Sequence, residues 1–366
     1  MEMPQDFAIS IAAKPGTDVL LSPDQGERRH PMPGFDDAFA DIVDYIVRIT
    51  HRIWEEKDIG HIYDTYRHNC RVTDDVGLQY GRDKIVADTV HTINAFPDVR
   101  LYADEVVWAT DGDGGFETSH RTVIVGHNTG YSRWGAPTGR KVVAWAIANC
   151  SSRENEIYEE WVLYNTSSIL AQLGFDLRAL ARETGNALDA DPLGDERFGE
   201  AERVQGQGKP VKLPPAPDGG PFDPEGFVRR AWHETWNWRN LSTIDRVYAP
   251  NVRWLGPTNR TLQGRGDLKS FILSMLAAFP DLALSVDDVY WMGNEADGQL
   301  VSVRWSALGT HRGHGVYGPP TGRRVAMWGI AQHRVEQGRI TQEWMLFNEF
   351  EVLQQILRDD PVAGAA

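Results

Sequence analysis

A shift of 183 residues lays one half of this 366-residue chain over the other. Ala95-Phe96-Pro97-Asp98-Val99 through Trp108 matches Ala278-Phe279-Pro280-Asp281-Leu282 through Trp291 at 8 of 14 positions. In the same register Pro137-Thr138-Gly139-Arg140 meets Pro320-Thr321-Gly322-Arg323, and Glu160, Trp161 and Asn165 meet Glu343, Trp344 and Asn348. A shift of 182 pairs His51 and Trp54 with His233 and Trp236, so one inserted residue lies before Gly81/Gly264. Self-similarity at a domain-sized period restricts the fold to two copies of one unit. The copies are expected over 36–176 and 223–358. An N-terminal arm over 1–35 lies on the surface, a linker over 177–222 begins helix-like and turns Pro/Gly-rich, and a short tail covers 359–366.

Each copy reads helix first and strands later. Phe39, Ile42, Val43, Ile46, Ile49 and Ile53 keep a 3.6-residue period, and Phe227, Ala231, Thr235 and Trp236 resume it in the second copy. A second helix follows Gly81 or Gly264 and stops before Pro97 or Pro280, because proline disfavours the helical conformation of the residue preceding it. Alternation then predicts strands near 99–109, 116–128, 140–152 and 156–164. The expected fold class is α+β, a curved antiparallel sheet covered by helices and enclosing a pocket. Ala144, Ala146 and Ala148 strip one face of bulk and bulky Val143, Trp145 and Ile147 fill the other. The small face either makes room for a ligand or receives a closely packed helix.

On the last strand Tyr158, Glu160, Val162 and Tyr164 share one face, as do Thr341, Glu343, Met345 and Phe347 in the second copy. Glu160 and Glu343 thus sit among apolar neighbours, where burial disfavours the charged carboxylate and raises its pKa into the range useful for acid/base catalysis. The alternative is a glutamate that reaches solvent or pairs with an arginine such as Arg121 or Arg304. Val162, Tyr164, Met345 and Phe347 are the accompanying pocket residues. His51 and Trp54, with His233 and Trp236, share one side of the first helix and are candidates for the pocket mouth. His127 and His333 lack a histidine counterpart, and their roles stay open. His311 and His314 offer only two metal ligands where zinc needs at least three, so no metal is expected. Gly-rich phosphate loops, nucleophile elbows and HExxH helices are absent.

Several motifs carry a family likeness: Tyr248-Ala249-Pro250-Asn251-Val252-Arg253-Trp254, Ala278-Phe279-Pro280-Asp281, His311-x-Gly313, Gly318-Pro319-Pro320-Thr321-Gly322-Arg323 and Gly338-Arg339-Ile340-x-x-Glu343-Trp344. With them each copy resembles the SnoaL-like polyketide cyclases, or ester cyclases, of the NTF2-like superfamily. The resemblance covers nearly all of both copies. It implies a cone-shaped α+β barrel with an interior pocket, dimeric through its sheet, and a cofactor-free aldol ring closure on a polyketide ester. It also implies a histidine and a catalytic aspartate on the last strand. Glu160 and Glu343 hold the histidine position, and Val162 and Met345 hold the aspartate position.

The acidic balance, 52 acidic against 37 basic residues, excludes a chain-wide footprint for nucleic acid or anionic membrane. The absence of an export signal or long apolar run predicts a cytoplasmic protein. Cys70 and Cys150 read as buried free thiols. The expected architecture is a tandem whose copies pair sheet against sheet as an internal pseudo-dimer, with further homo-oligomerisation open. The expected function is a cofactor-independent enzyme of cyclase, isomerase, lyase or hydratase type. A pocket glutamate would be its acid/base and a small apolar carbonyl or ester compound its ligand. The alternatives are a binding module that has lost the chemistry, and a structural protein with filled cavities.

Overall fold

The computed structural model describes residues 11, 21–22, 27–75, 77–186 and 221–359; most of the linker and tail expected from the sequence lie outside these. The described residues divide into two compact units, those up to Asn165 with Tyr290–Ser302, and those from Thr166 to Val289 with Val303 onward.

In the first unit the periodic stretch forms α1 (Ile42–Trp54), started by Asp41, whose carboxylate accepts the Asp44 amide at 2.7 Å. Ile42, Val43, Ile46, Ile49 and Ile53 are its buried stripe. A short α2 (Ile62–Thr65) leads into β1 (Tyr66–Thr73) and β2 (Leu78–Tyr80). Gly81, at φ +89°, then turns the chain into α3 (Arg82–Ala95), which ends at Phe96 ahead of Pro97. Four long strands follow: β3 (Arg100–Thr110), β4 (Gly115–His127), β5 (Lys141–Arg153) and β6 (Glu156–Leu163). Their order in the sheet is β2-β1-β6-β5-β4-β3. The sheet is mixed: β1 runs parallel to β6 and the other pairings are antiparallel. The expected surface arm is anchored, since Met32 and Phe35 are buried and Phe35 meets Tyr45 and Phe116 edge-on. Tyr290 and Met292 belong to this unit's core.

The second unit begins with α4 (Thr166–Leu173) and with α5 (Leu177–Gly185), which is the helix-like start of the expected linker. Helix α6 (Pro224–Trp232) opens with Asp223 as cap and proline at its first position, and runs into a π-turn over His233–Asn237. After α7 (Ser242–Val247) come β7 (Tyr248–Leu255), β8 (Thr261–Gln263) and α8 (Gly264–Ala278). The long strands β9 (Ala283–Asn294), β10 (Gly298–Thr310), β11 (Arg324–Glu336) and β12 (Arg339–Phe347) precede α9 (Glu349–Leu357). The sheet order, β8-β7-β12-β11-β10-β9, repeats that of the first sheet, including the parallel pair β7–β12. Both halves are therefore α+β units of one topology.

Candidate functional site

Cross-strand register brings the first copy's candidate residues to one place. Glu160 on β6 stands opposite Cys150 on β5 and Val72 on β1. One step along the same face, Val162 stands opposite Ala148, and Ala148 opposite His120 on β4. The α1 stripe lies over this face, and between them is a hollow of about 50 Å³, enough for a few waters or part of a small ligand. Ala146 and Ala148, the small face of β5, line it, as do Trp54, Val162, Tyr164 and Glu160.

Glu160 is 8% exposed. Burial pushes its carboxyl up to about 7, against the opposing pull of the Tyr66 hydroxyl, which donates to Oε2 at 3.0 Å. Tyr66 is its only hydrogen-bond partner among the described residues. The arginine pairing considered from sequence is not formed. Arg121 donates to Asp104 at 2.6 Å, and Arg304 stands 3.9 Å from Asp287. Both arginines lie outside the hollow.

The second copy turns the same positions to another use. Both oxygens of Glu343 are engaged, Oε2 by the Tyr248 hydroxyl at 2.7 Å and Oε1 by the Trp254 indole N–H at 3.0 Å. His333, opposite Glu343 on β11, brings Nε2 to 3.5 Å from Oε2. Where the first copy has Thr50, Val72, Thr122 and Cys150, the repeat places Trp232, Trp254, Trp305 and His333. Trp232 meets Trp305 and His333 edge-on, at 6.0 and 5.5 Å between ring centroids. Gly329, the counterpart of Ala146, has the Trp305 ring where a Cβ would stand, 2.5 Å away. What remains is an apolar recess of about 20 Å³ among Trp236, Met345, Phe347 and other side chains, and Glu343 does not line it.

The other predicted residues lie elsewhere. His51 faces Glu55 and Glu56 at 3.5 and 3.7 Å. His127 is exposed and bound to Asp98 at 2.6 Å. His233 sits against Trp238 with Nδ1 3.3 Å from the Asn237 amide. His311 is buried against Phe279, with Nδ1 3.2 Å from the Thr321 hydroxyl. Sequence reasoning missed Tyr66 and His120. His120 lines the first hollow, is 4% exposed, and its Nε2 has no hydrogen-bond partner among the described residues. Among the described residues there is no cluster of three or more potential metal ligands and no helix long and apolar enough to cross a membrane.

Residues 227–356 match the family model for the SnoaL-like polyketide cyclases. They are a SnoaL-like domain. The shared strand order makes the first unit the structural counterpart of this SnoaL-like domain. Curated proteins give no significant match to the chain. Among solved structures, a candidate SnoaL-like polyketide cyclase from Jannaschia sp. CCS1 is 19% identical, with 39% of this chain and 100% of that one covered and a TM-score of 0.34. IdmH, a candidate polyketide cyclase from Streptomyces antibioticus, is 26% identical, with 37% and 98% covered and a TM-score of 0.32. A protein of ketosteroid isomerase-like fold from Catenulispora acidiphila, in complex with trimethylamine, is 16% identical, with 38% and 96% covered and a TM-score of 0.31.

Proposed function

We propose that the chain is an enzyme whose chemistry resides in the first unit, with Glu160 moving a proton on a small, mostly apolar carbonyl or ester compound. The observation that carries this reading is the contrast between two equivalent carboxyls. Glu160 has one hydrogen bond, borders a hollow and is held near half-ionisation at neutral pH. Glu343 has both oxygens occupied and the His333 ring beside it. A base must keep a free lone pair within reach of its substrate, and an acid/base works best with a pKa near the operating pH.

In the reaction the Glu160 carboxylate takes a proton from a carbon next to the carbonyl, and the C–H electron pair moves onto the carbonyl oxygen as an enolate. Return of that proton from the Glu160 carboxylic acid to a conjugated carbon completes an isomerisation, and where the carboxylic acid has first traded its proton with solvent, protonation of the original carbon completes an exchange. Attack of the enolate carbon on a second carbonyl of the same molecule completes a ring closure, and the proton then goes to the new alkoxide. The Tyr66 hydroxyl fixes the carboxyl orientation throughout. The SnoaL-like likeness supports cyclase chemistry as one member of this class, with Glu160 two residues before the expected aspartate position, on the same face.

The test is deuterium wash-in. A panel of small neutral ketones and esters is incubated with the protein in D2O and followed by proton NMR. Wild type is expected to exchange the hydrogens next to the carbonyl of at least one compound, with a rate that rises through pH 7, and Glu160→Gln is expected not to. A protein that retains such a compound without exchanging it is a binding module, the reading favoured by the apolar Val162 at the aspartate position.

A further inference from the structure

We propose that His120 is a ligand-binding residue of the first unit, donating a hydrogen bond from Nε2 to the oxygen of a small neutral carbonyl compound whose adjacent carbon faces Glu160. The contact at His120 stands on its own observations; the orientation toward Glu160 rests on the function proposed above.

Three observations converge. First, Nε2 is buried and without a partner among the described residues, in a ring that borders the hollow. A buried polar atom left unpaired is costly, and a ligand atom that pairs it recovers that cost on binding. Second, the site has the polarity of a neutral ligand. Apart from Glu160 its polar groups are hydroxyls, the Cys150 thiol, the Trp54 indole and the imidazole, and no lysine or arginine lines it. An anion would meet Glu160 with no counter-charge. Burial and the adjacent Arg121 guanidinium hold the His120 ring down to about 4, so at neutral pH it is an uncharged donor. Third, the spacing suits one small molecule. His120 and Glu160 share a face two strands and two residues apart, about 12 Å between Cα atoms on regular sheet spacings. Side chains reaching inward from both ends leave a gap of a few atoms, the span of a carbonyl and its neighbouring carbons. Copy two has Val303 at this place, in keeping with its filled interior.

Histidine-selective 15N NMR on the full chain, titrated with cyclohexanone, tests this without turnover. The His120 signal, assigned by its loss in His120→Gln, is expected as the neutral Nε2–H tautomer and is expected to shift saturably. His120→Phe is expected to weaken cyclohexanone binding about tenfold, the value of one hydrogen bond of this kind. His120→Gln, which keeps an N–H donor, is expected to restore part of it. Glu160→Gln should keep the His120 shift and lose deuterium exchange. A His120 signal that ignores cyclohexanone in the wild-type protein, or equal affinity in His120→Phe, overturns the proposal. Exchange without a His120 response refutes His120 alone. A His120 response without exchange upholds the contact and refutes the role of Glu160.

Discussion

Glu160→Gln should stabilise the first unit at alkaline pH and do much less at acidic pH. Burial lifts this carboxyl from 4.5 to about 7, so the folded unit binds its proton more tightly than the unfolded chain does. Its contribution to stability is therefore most favourable below about pH 4.5, declines as the pH rises, and reaches a constant deficit above about pH 7. At about 1.4 kcal/mol per pKa unit, the deficit is about 3 kcal/mol. Glutamine has the same shape, accepts the Tyr66 hydrogen bond and never ionises, so it removes the deficit. Any cost of its amide group is the same at every pH and cancels when two pH values are compared. Between pH 5 and pH 8 the advantage of the variant should grow by about 2–3 kcal/mol, or roughly 5–10 °C in midpoint for a unit of this size. Calorimetry of both proteins at both pH values reads it directly, the first unit being the transition that the substitution displaces. An advantage that is equal at the two pH values, or larger at pH 5, refutes the raised pKa and with it the basis for acid/base work at Glu160.

Other expectations follow from the contrast between the copies. Glu343→Ala leaves the buried Tyr248 hydroxyl and Trp254 N–H without their acceptor, and should destabilise the second unit by about 3 kcal/mol in urea unfolding, well beyond the effect of Glu160→Ala on the first. Gly329→Ala would place a Cβ 2.5 Å from both the Leu346 carbonyl and the Trp305 ring; a loss of about 1–3 kcal/mol is expected, again read by urea unfolding. Burial raises the Cys70 and Cys150 thiols above their ordinary range. Native protein at pH 8 should therefore resist iodoacetamide, and mass spectrometry should find both thiols alkylated only after denaturation.

The repeat made the two-unit architecture legible, and alternation placed the four long strands of the first copy within a residue of their observed ends. The face shared by Glu160, Val162 and Tyr164 was equally legible, because side-chain direction in a strand follows from parity alone. Strand β1 was not. Tyr-Arg-His-Asn-Cys-Arg-Val-Thr has little alternation, and its parallel pairing to β6 joins segments some ninety residues apart, which no local period encodes. Tyr66, the partner of Glu160, was hidden with it. His120 carried no signal of its own in the sequence, because Val303 holds its place in the second copy and parity along one strand does not say which residues it meets across the sheet. The register that sets it across Ala148 from Val162 would have revealed it. The difference between the copies was written at Thr50/Trp232, Val72/Trp254, Thr122/Trp305 and Cys150/His333, but these four positions converge only once the sheet is assembled.

On the proposed reading Glu160, and not its counterpart Glu343, carries the chemistry. Untargeted mass spectrometry of a metabolite extract, incubated in parallel with wild type, Glu160→Gln and Glu343→Gln, decides between the two. A compound consumed and a product formed by wild type and by Glu343→Gln, but not by Glu160→Gln, is the predicted result. Turnover that survives Glu160→Gln, or that is lost only in Glu343→Gln, contradicts it.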